Sequence, residues 1–181
     1  MNNKLSTQEY LSIGYLYLLA LGITIDVIYY SMLDVNILNY SSISDVLLSP
    51  LKILTRSIIL PITLIFIFIL SFIWDKYIYP KLKRSNAAAL TTEKLILRAA
   101  LMVFCIYLGI GIGMGGKGKS ILENGEITPD HLVTFSGGKQ VEVKVIGQNS
   151  QYLFFVPKGA RAVSITLISS NVLQFQKLRK N

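Results

Sequence analysis

From Ser57 to Trp74 the chain reads SIILPITLIFIFILSFIW, with no charge between Arg56 and Asp75-Lys76. As an α-helix this stretch measures about 27 Å, close to the roughly 30 Å hydrocarbon core of a bilayer. A helix packed in a soluble core is seldom apolar on every face for so long. The pattern predicts a membrane-spanning helix, with Pro61 in its first turn, where a missing N–H is tolerated. Two further apolar runs, about 10–33 and about 95–114, predict two more spans. The first is too long for a signal-peptide core and no small-residue cleavage site follows it, so it reads as a signal-anchor helix. Tyr10, Tyr15 and Tyr17 towards one end, with Tyr29 and Tyr30 towards the other, match interfacial aromatic belts.

Between the first two spans, residues 34–56 are neither loop nor span. Asn36, Asn39, Ser41, Ser42, Ser44 and Asp45 interrupt the apolar residues. Ser42 or Ser44 can cap a short helix through Leu48, ended by Pro50. Ile43, Val46 and Leu47 would share one face of it. An interfacial amphipathic helix fits best. The alternative is a re-entrant segment, whose non-helical backbone must lie under protein or water.

After His131 the period changes to two. Leu132–Phe135 is a strand candidate. Val141, Val143 and Val145 alternate with polar residues, Tyr152–Val156 is densely apolar, and Val163, Ile165 and Leu167 alternate again before Val172–Phe175. Turn residues separate these runs at Gly137-Gly138, Gly147–Ser150 and Pro157–Gly159. Four or five short strands predict a small all-β module at 131–181, an SH3-like barrel or curled sheet. The expected organisation is thus an integral membrane α-helical domain over 1–116, a linker over 117–130, and the β-module.

Composition sharpens this picture. Of 181 residues, 52% are hydrophobic and 15% charged, against about 25% charged in ordinary domains. The deficit falls in the first two thirds of the chain. The net charge of +8 is uneven: Lys76, Lys81, Lys83, Arg84, Lys94 and Arg98 cluster around the loop 75–94, and residues 117–181 carry nine basic and four acidic side chains. Basic loops stay in the cytoplasm, which places the N-terminus inside and the tail on the periplasmic or extracellular face. Lys81, Lys83, Arg84 and Arg98 are expected at the lipid interface. No nucleic-acid-binding motif accompanies the charge, so none is expected as a partner. Richness in Ile, Asn, Lys, Tyr and Ser fits an AT-rich bacterial genome.

Candidate chemistry is sparse. One cysteine, Cys105, and one histidine, His131, exclude a disulfide framework and the usual Cys and His metal motifs. Glu123, Glu126, Asp130 and His131 are close in sequence but fall in the expected linker, and acid–base catalysis needs groups that converge. Neither enzymatic activity nor a cofactor is expected. Asp26 is either an intramembrane carboxylate, a type often found in ion and proton paths, or the interfacial end of a slightly short span. Gly109, Gly111, Gly113 and Gly115 form two overlapping small-xxx-small patterns that would let helices pack closely. Tyr152 and Phe154 fall on one strand face and Phe155 on the other. Core packing is the simplest role for them, and a recognition surface at Tyr152 and Phe154 the functional one.

The run IGQNSQYLFF, followed by a basic turn and a last alternating strand, resembles the C-terminal β-modules of small bacterial membrane proteins. That resemblance implies no activity. The expected function is non-enzymatic: a multi-pass protein of the bacterial inner membrane that presents its β-module for recognition of a partner or ligand, or for self-assembly. Its partners would be the lipid bilayer and further copies of the chain or another membrane protein. The alternative is an oligomeric channel or membrane-perturbing effector, in which Asp26 and the glycine run line or gate a path.

Overall fold

The computed structural model describes residues 6–56, 59–73, 92–125 and 127–178. Lys81, Lys83 and Arg84, and the basic loop that carries them, lie outside these residues. Helix α1, Thr7–Ser31, starts in a capping box: the Ser6 hydroxyl accepts from the Glu9 N–H at 3.3 Å, and the Glu9 carboxylate accepts from the Ser6 N–H at 2.6 Å. A 3-10 turn at Ile37–Asn39 follows, then α2, Ile43–Arg56, α3, Ile59–Ile73, and α4, Thr92–Asn124. Helices α1 and α4 are long and apolar enough to cross a membrane, and the apolar part of α3, Pro61–Ile73, is shorter.

Two expectations about these helices are corrected. Helix α2 does not stop at Pro50 but runs through it to Arg56. Proline has no N–H for the carbonyl four residues back, that of Val46. This carbonyl lies against Gly22 of α1, where a side chain would overlap it. The Pro50 carbonyl in turn accepts from the Tyr107 hydroxyl of α4 at 3.2 Å. The proline's loss of one helix bond therefore falls where two neighbouring helices meet α2. Helix α4, for its part, continues past Met114 to Asn124 through the stretch expected as linker. Its glycines tolerate helix there because the neighbouring chain fills their space: Gly115 lies against Met32 and Gly118 against Leu33.

Helix α1 is the central element, packed along both α2 and α4. Leu21, Ile25 and Tyr107 are buried between them, with Tyr17, Ile53, Leu54 and Phe104 around. The Tyr17 hydroxyl donates to the Ala100 carbonyl at 2.6 Å. Leu64 of α3 reaches this core, but Ile62, Ile65, Phe66, Phe68, Ile69, Leu70, Phe72 and Ile73 stay exposed.

The tail is an antiparallel five-stranded sheet in the order β4-β3-β2-β1-β5. Its strands are β1 His131–Phe135, β2 Gln140–Gln148, β3 Tyr152–Pro157, β4 Ser164–Leu167 and β5 Val172–Lys177. The one-turn helix α5, Ile168–Asn171, joins β4 to β5. These two strands are the opposite edges of the sheet. Flat, the edges would lie about 19 Å apart, whereas a turn of this length advances only about 8 Å. The sheet must therefore curl, and Val133, Val143, Leu153 and Phe155 are buried within the curl beneath Ile168 and Val172. A closed barrel does not form: β4 and β5 make no ladder with each other. Strand β4 is only four residues long, and α5 follows it directly.

Candidate functional site

The outer face of the curl, opposite Leu153 and Phe155, is seated on the helices. Alternation along β3 sends Phe154 to this face, where it is fully buried. Its ring centroid lies 4.9 Å from that of Tyr30 and 6.0 Å from that of Tyr40, while Tyr152 meets Tyr40 at 5.2 Å. Leu33 at the end of α1, Leu122 near the end of α4 and Val156 of β3 form a second buried contact. Tyr152 and Phe154, candidates for outward recognition, are thus spent on docking within the chain.

Polar bonds surround this apolar seam. Asp45, in the first turn of α2, is nearly buried. It accepts from Ser42 N–H at 3.3 Å and Ser42 Oγ at 2.7 Å, and from Ser150 N–H at 3.0 Å and Ser150 Oγ at 2.8 Å. Ser42 Oγ also accepts from the Asp45 N–H at 3.2 Å, and so takes the capping role expected of Ser42 or Ser44. Burial works against the Asp45 carboxylate, but the bonds from Ser42 and Ser150 outweigh it and leave its pKa below the ordinary value. Asn149 Nδ2 donates to the Tyr40 carbonyl at 2.8 Å, and the Tyr29 hydroxyl to the Ile146 carbonyl at 3.1 Å. Gly147 lies so close to the Tyr30 hydroxyl that a side chain there would collide with it.

Under this seam α1, α2, α4 and β2 enclose a cavity of about 140 Å³. Asp26, Ser49, Lys52, Tyr29, Gly111 and Gln148 are among its lining residues. Ser49 Oγ donates to Asp26 Oδ1 at 2.7 Å. The carboxylate singled out in the sequence therefore faces a small mixed-polarity cavity at the helix–sheet junction. Ser49, Lys52 and Gln148 had no signal of their own: they are separated from Asp26 by 23 residues or more and are brought to it only by packing.

The four glycines of α4 divide by face. A side chain at Gly111 would meet Ile25 of α1 and one at Gly115 would meet Met32, the residue after its end. Gly109 and Gly113 have open space. Arg98 lines an apolar groove between α3 and α4 with Phe68, Phe72 and Met102.

A separate polar cluster sits at the start of β1. Asp130 bonds His131 Nδ1 at 2.8 Å, Lys144 Nζ at 2.8 Å and the Val145 N–H at 2.9 Å. Burial opposes its charge, but the bonds from Lys144, His131 and Val145 bring its pKa down to about 2. The His131 ring stacks on Phe175, 4.4 Å between centroids. These residues pin β1, β2 and β5 together. Among the described residues, no group of three or more His, Cys, Asp or Glu side chains is placed to hold a metal ion.

No protein-family model, curated protein or solved structure matches this chain.

Proposed function

We propose that this chain is an inner-membrane protein of a bacterium, held by three spans, with its sheet fixed at the outer membrane surface as a recognition and assembly module. The observation that carries the membrane reading is α3. Its eight large exposed apolar side chains cover the broad face of the helix turned away from Leu64, Ile67 and Ser71. Each large apolar side chain left in water forgoes roughly 1.5–3 kcal/mol of burial, so such a helix is suited to lipid or to neighbouring subunits. Helices α1 and α4 have the length to cross beside it.

The assembly reading rests on β5. Among the described residues its outer edge has no strand beside it, and Leu173 and Phe175 are 68% and 41% exposed. Open edges of this kind accept another strand. With Phe154 and Tyr152 taken up in docking, this edge carries the most exposed large apolar side chains of the sheet among the described residues, a surface for a second copy or a membrane partner.

The test is a C-terminal reporter active only outside the cytoplasm, combined with alkaline-carbonate extraction. The expected result is an active reporter in the carbonate-resistant fraction. A reporter active only in cytoplasmic form reverses the orientation, and release by carbonate removes the membrane reading. For assembly, Leu173→Glu should lower the mass of the detergent-solubilised particle to that of a monomer; an unchanged oligomer would rule out the β5 edge.

A further inference from the structure

The cavity at the seam holds an acid with one hydrogen-bond donor and a base whose ion pair, to Asp45, is long. Asp26 Oδ1 accepts from Ser49, but among the described residues nothing donates to Oδ2. Lys52 Nζ lies 3.8 Å from Asp45 Oδ1, beyond hydrogen-bond length. Asp45 does not depend on it, because Ser42 and Ser150 already supply four donors. A carboxylate in a partly desolvated place with one donor is costly unless something else completes it. The two groups line the same 140 Å³ volume, which is room for about four waters or for one molecule of a few heavy atoms. Half of the Lys52 side chain is exposed, so the base stands at the solvent side of the cavity.

We propose that this cavity binds a small zwitterion, an amino acid of the size of glycine or alanine. Its ammonium donates to Asp26 Oδ2, and its carboxylate accepts from Lys52. A simple cation would answer Asp26 but meet the charge of Lys52, and a simple anion would do the reverse. A zwitterion completes both with charge-assisted bonds. Tyr29 and Gln148 add neutral polar groups, and Gln148 brings the sheet into the site. A molecule bound there touches helices and sheet together, so it tightens the seam. The site needs the docked sheet but no protein partner, so it and the assembly reading can each fail alone.

The experiment is thermal unfolding and calorimetry of the full chain in nanodiscs, titrated with glycine and alanine. Ethylamine, acetate and glycine betaine, whose quaternary nitrogen has no N–H, are the comparison ligands. The expected result is a saturable rise in Tm with glycine or alanine and none with the three comparison ligands. Lys52→Met and Asp26→Asn should each weaken binding at least tenfold. Lys52→Met changes a half-exposed side chain and keeps the test valid even where Asp26→Asn fails to fold. The proposal is overturned by the absence of a saturable shift with either amino acid, which leaves a water-filled cavity. Affinity unchanged in Lys52→Met overturns it as well, and so does an equal response to ethylamine.

Discussion

Replacing Phe154 with alanine is expected to destabilise the protein by about 3–5 kcal/mol, the range for an aromatic side chain removed from a closed core. Phe154 has no exposed surface and stands between Tyr30 and Tyr40. Its removal leaves a hole bounded by two rings held from elsewhere. Tyr30 is packed edge-on against Tyr29, and Tyr40 against Tyr152. Partial collapse is therefore limited, which favours the upper part of the range. The cost should appear in denaturant unfolding of the solubilised chain, together with earlier proteolysis of the tail. Gln140→Ala, at an exposed position of β2, is the comparison and should stay within about 0.5 kcal/mol. If both variants unfold alike, Phe154 does not hold the sheet to the helices.

The second large effect is expected at Gly22. A side chain there overlaps the Val46 carbonyl, a backbone atom in the first turn of α2 that cannot rotate away. Gly22→Val must push α2 from α1, at about 3 kcal/mol, the upper end for overpacking. The same displacement draws Ser49 away from Asp26 and Asp45 away from Ser150, so the seam loosens with it. Gly14 lies on the same helix with open space around it. Gly14→Ala should be neutral or stabilising by up to about 1 kcal/mol, because alanine favours helix. A thermal melt of the two variants side by side separates a packing requirement from a propensity effect.

Much of the secondary structure was readable because it depends on local pattern. The apolar runs mark α1, α3 and the apolar part of α4. Alternation marks β2 and β4, a dense apolar run marks β3, and the period of two assigned Phe154 and Phe155 to opposite faces. A cap at Ser42 or Ser44 was recognisable because capping is a matter of neighbouring residues, and Ser42 fills it. The misread boundaries share a cause. Pro50 and the glycines of α4 argue locally against helix, yet helix persists because contacts from distant segments fill the gaps they leave: Gly22 for the Val46 carbonyl, Met32 and Leu33 for the glycines.

The seam itself was not legible. Asp26 stood out as a lone acid among apolar residues, but nothing local ties it to Ser49 or Lys52. The bond from Ser150 to Asp45 spans 105 residues, and single-sequence periodicity carries no information on such pairs. The sheet was readable as four or five strands but not in its closure, since whether β4 and β5 meet depends on how far one turn of helix lets the edges approach.

The claim on which the rest depends is that the sheet is docked on the helix ends and not tethered beyond them. Hydrogen exchange at the Ser150 amide tests it most directly. This N–H lies in the β2–β3 turn and its acceptor is Asp45 of α2, so only docking protects it. In the full chain in nanodiscs the amide should exchange with the slow core of the sheet, and Asp45→Ala should speed it while leaving the β3 amides protected. Exchange of Ser150 in the native chain at the rate of an open turn would contradict the docked arrangement.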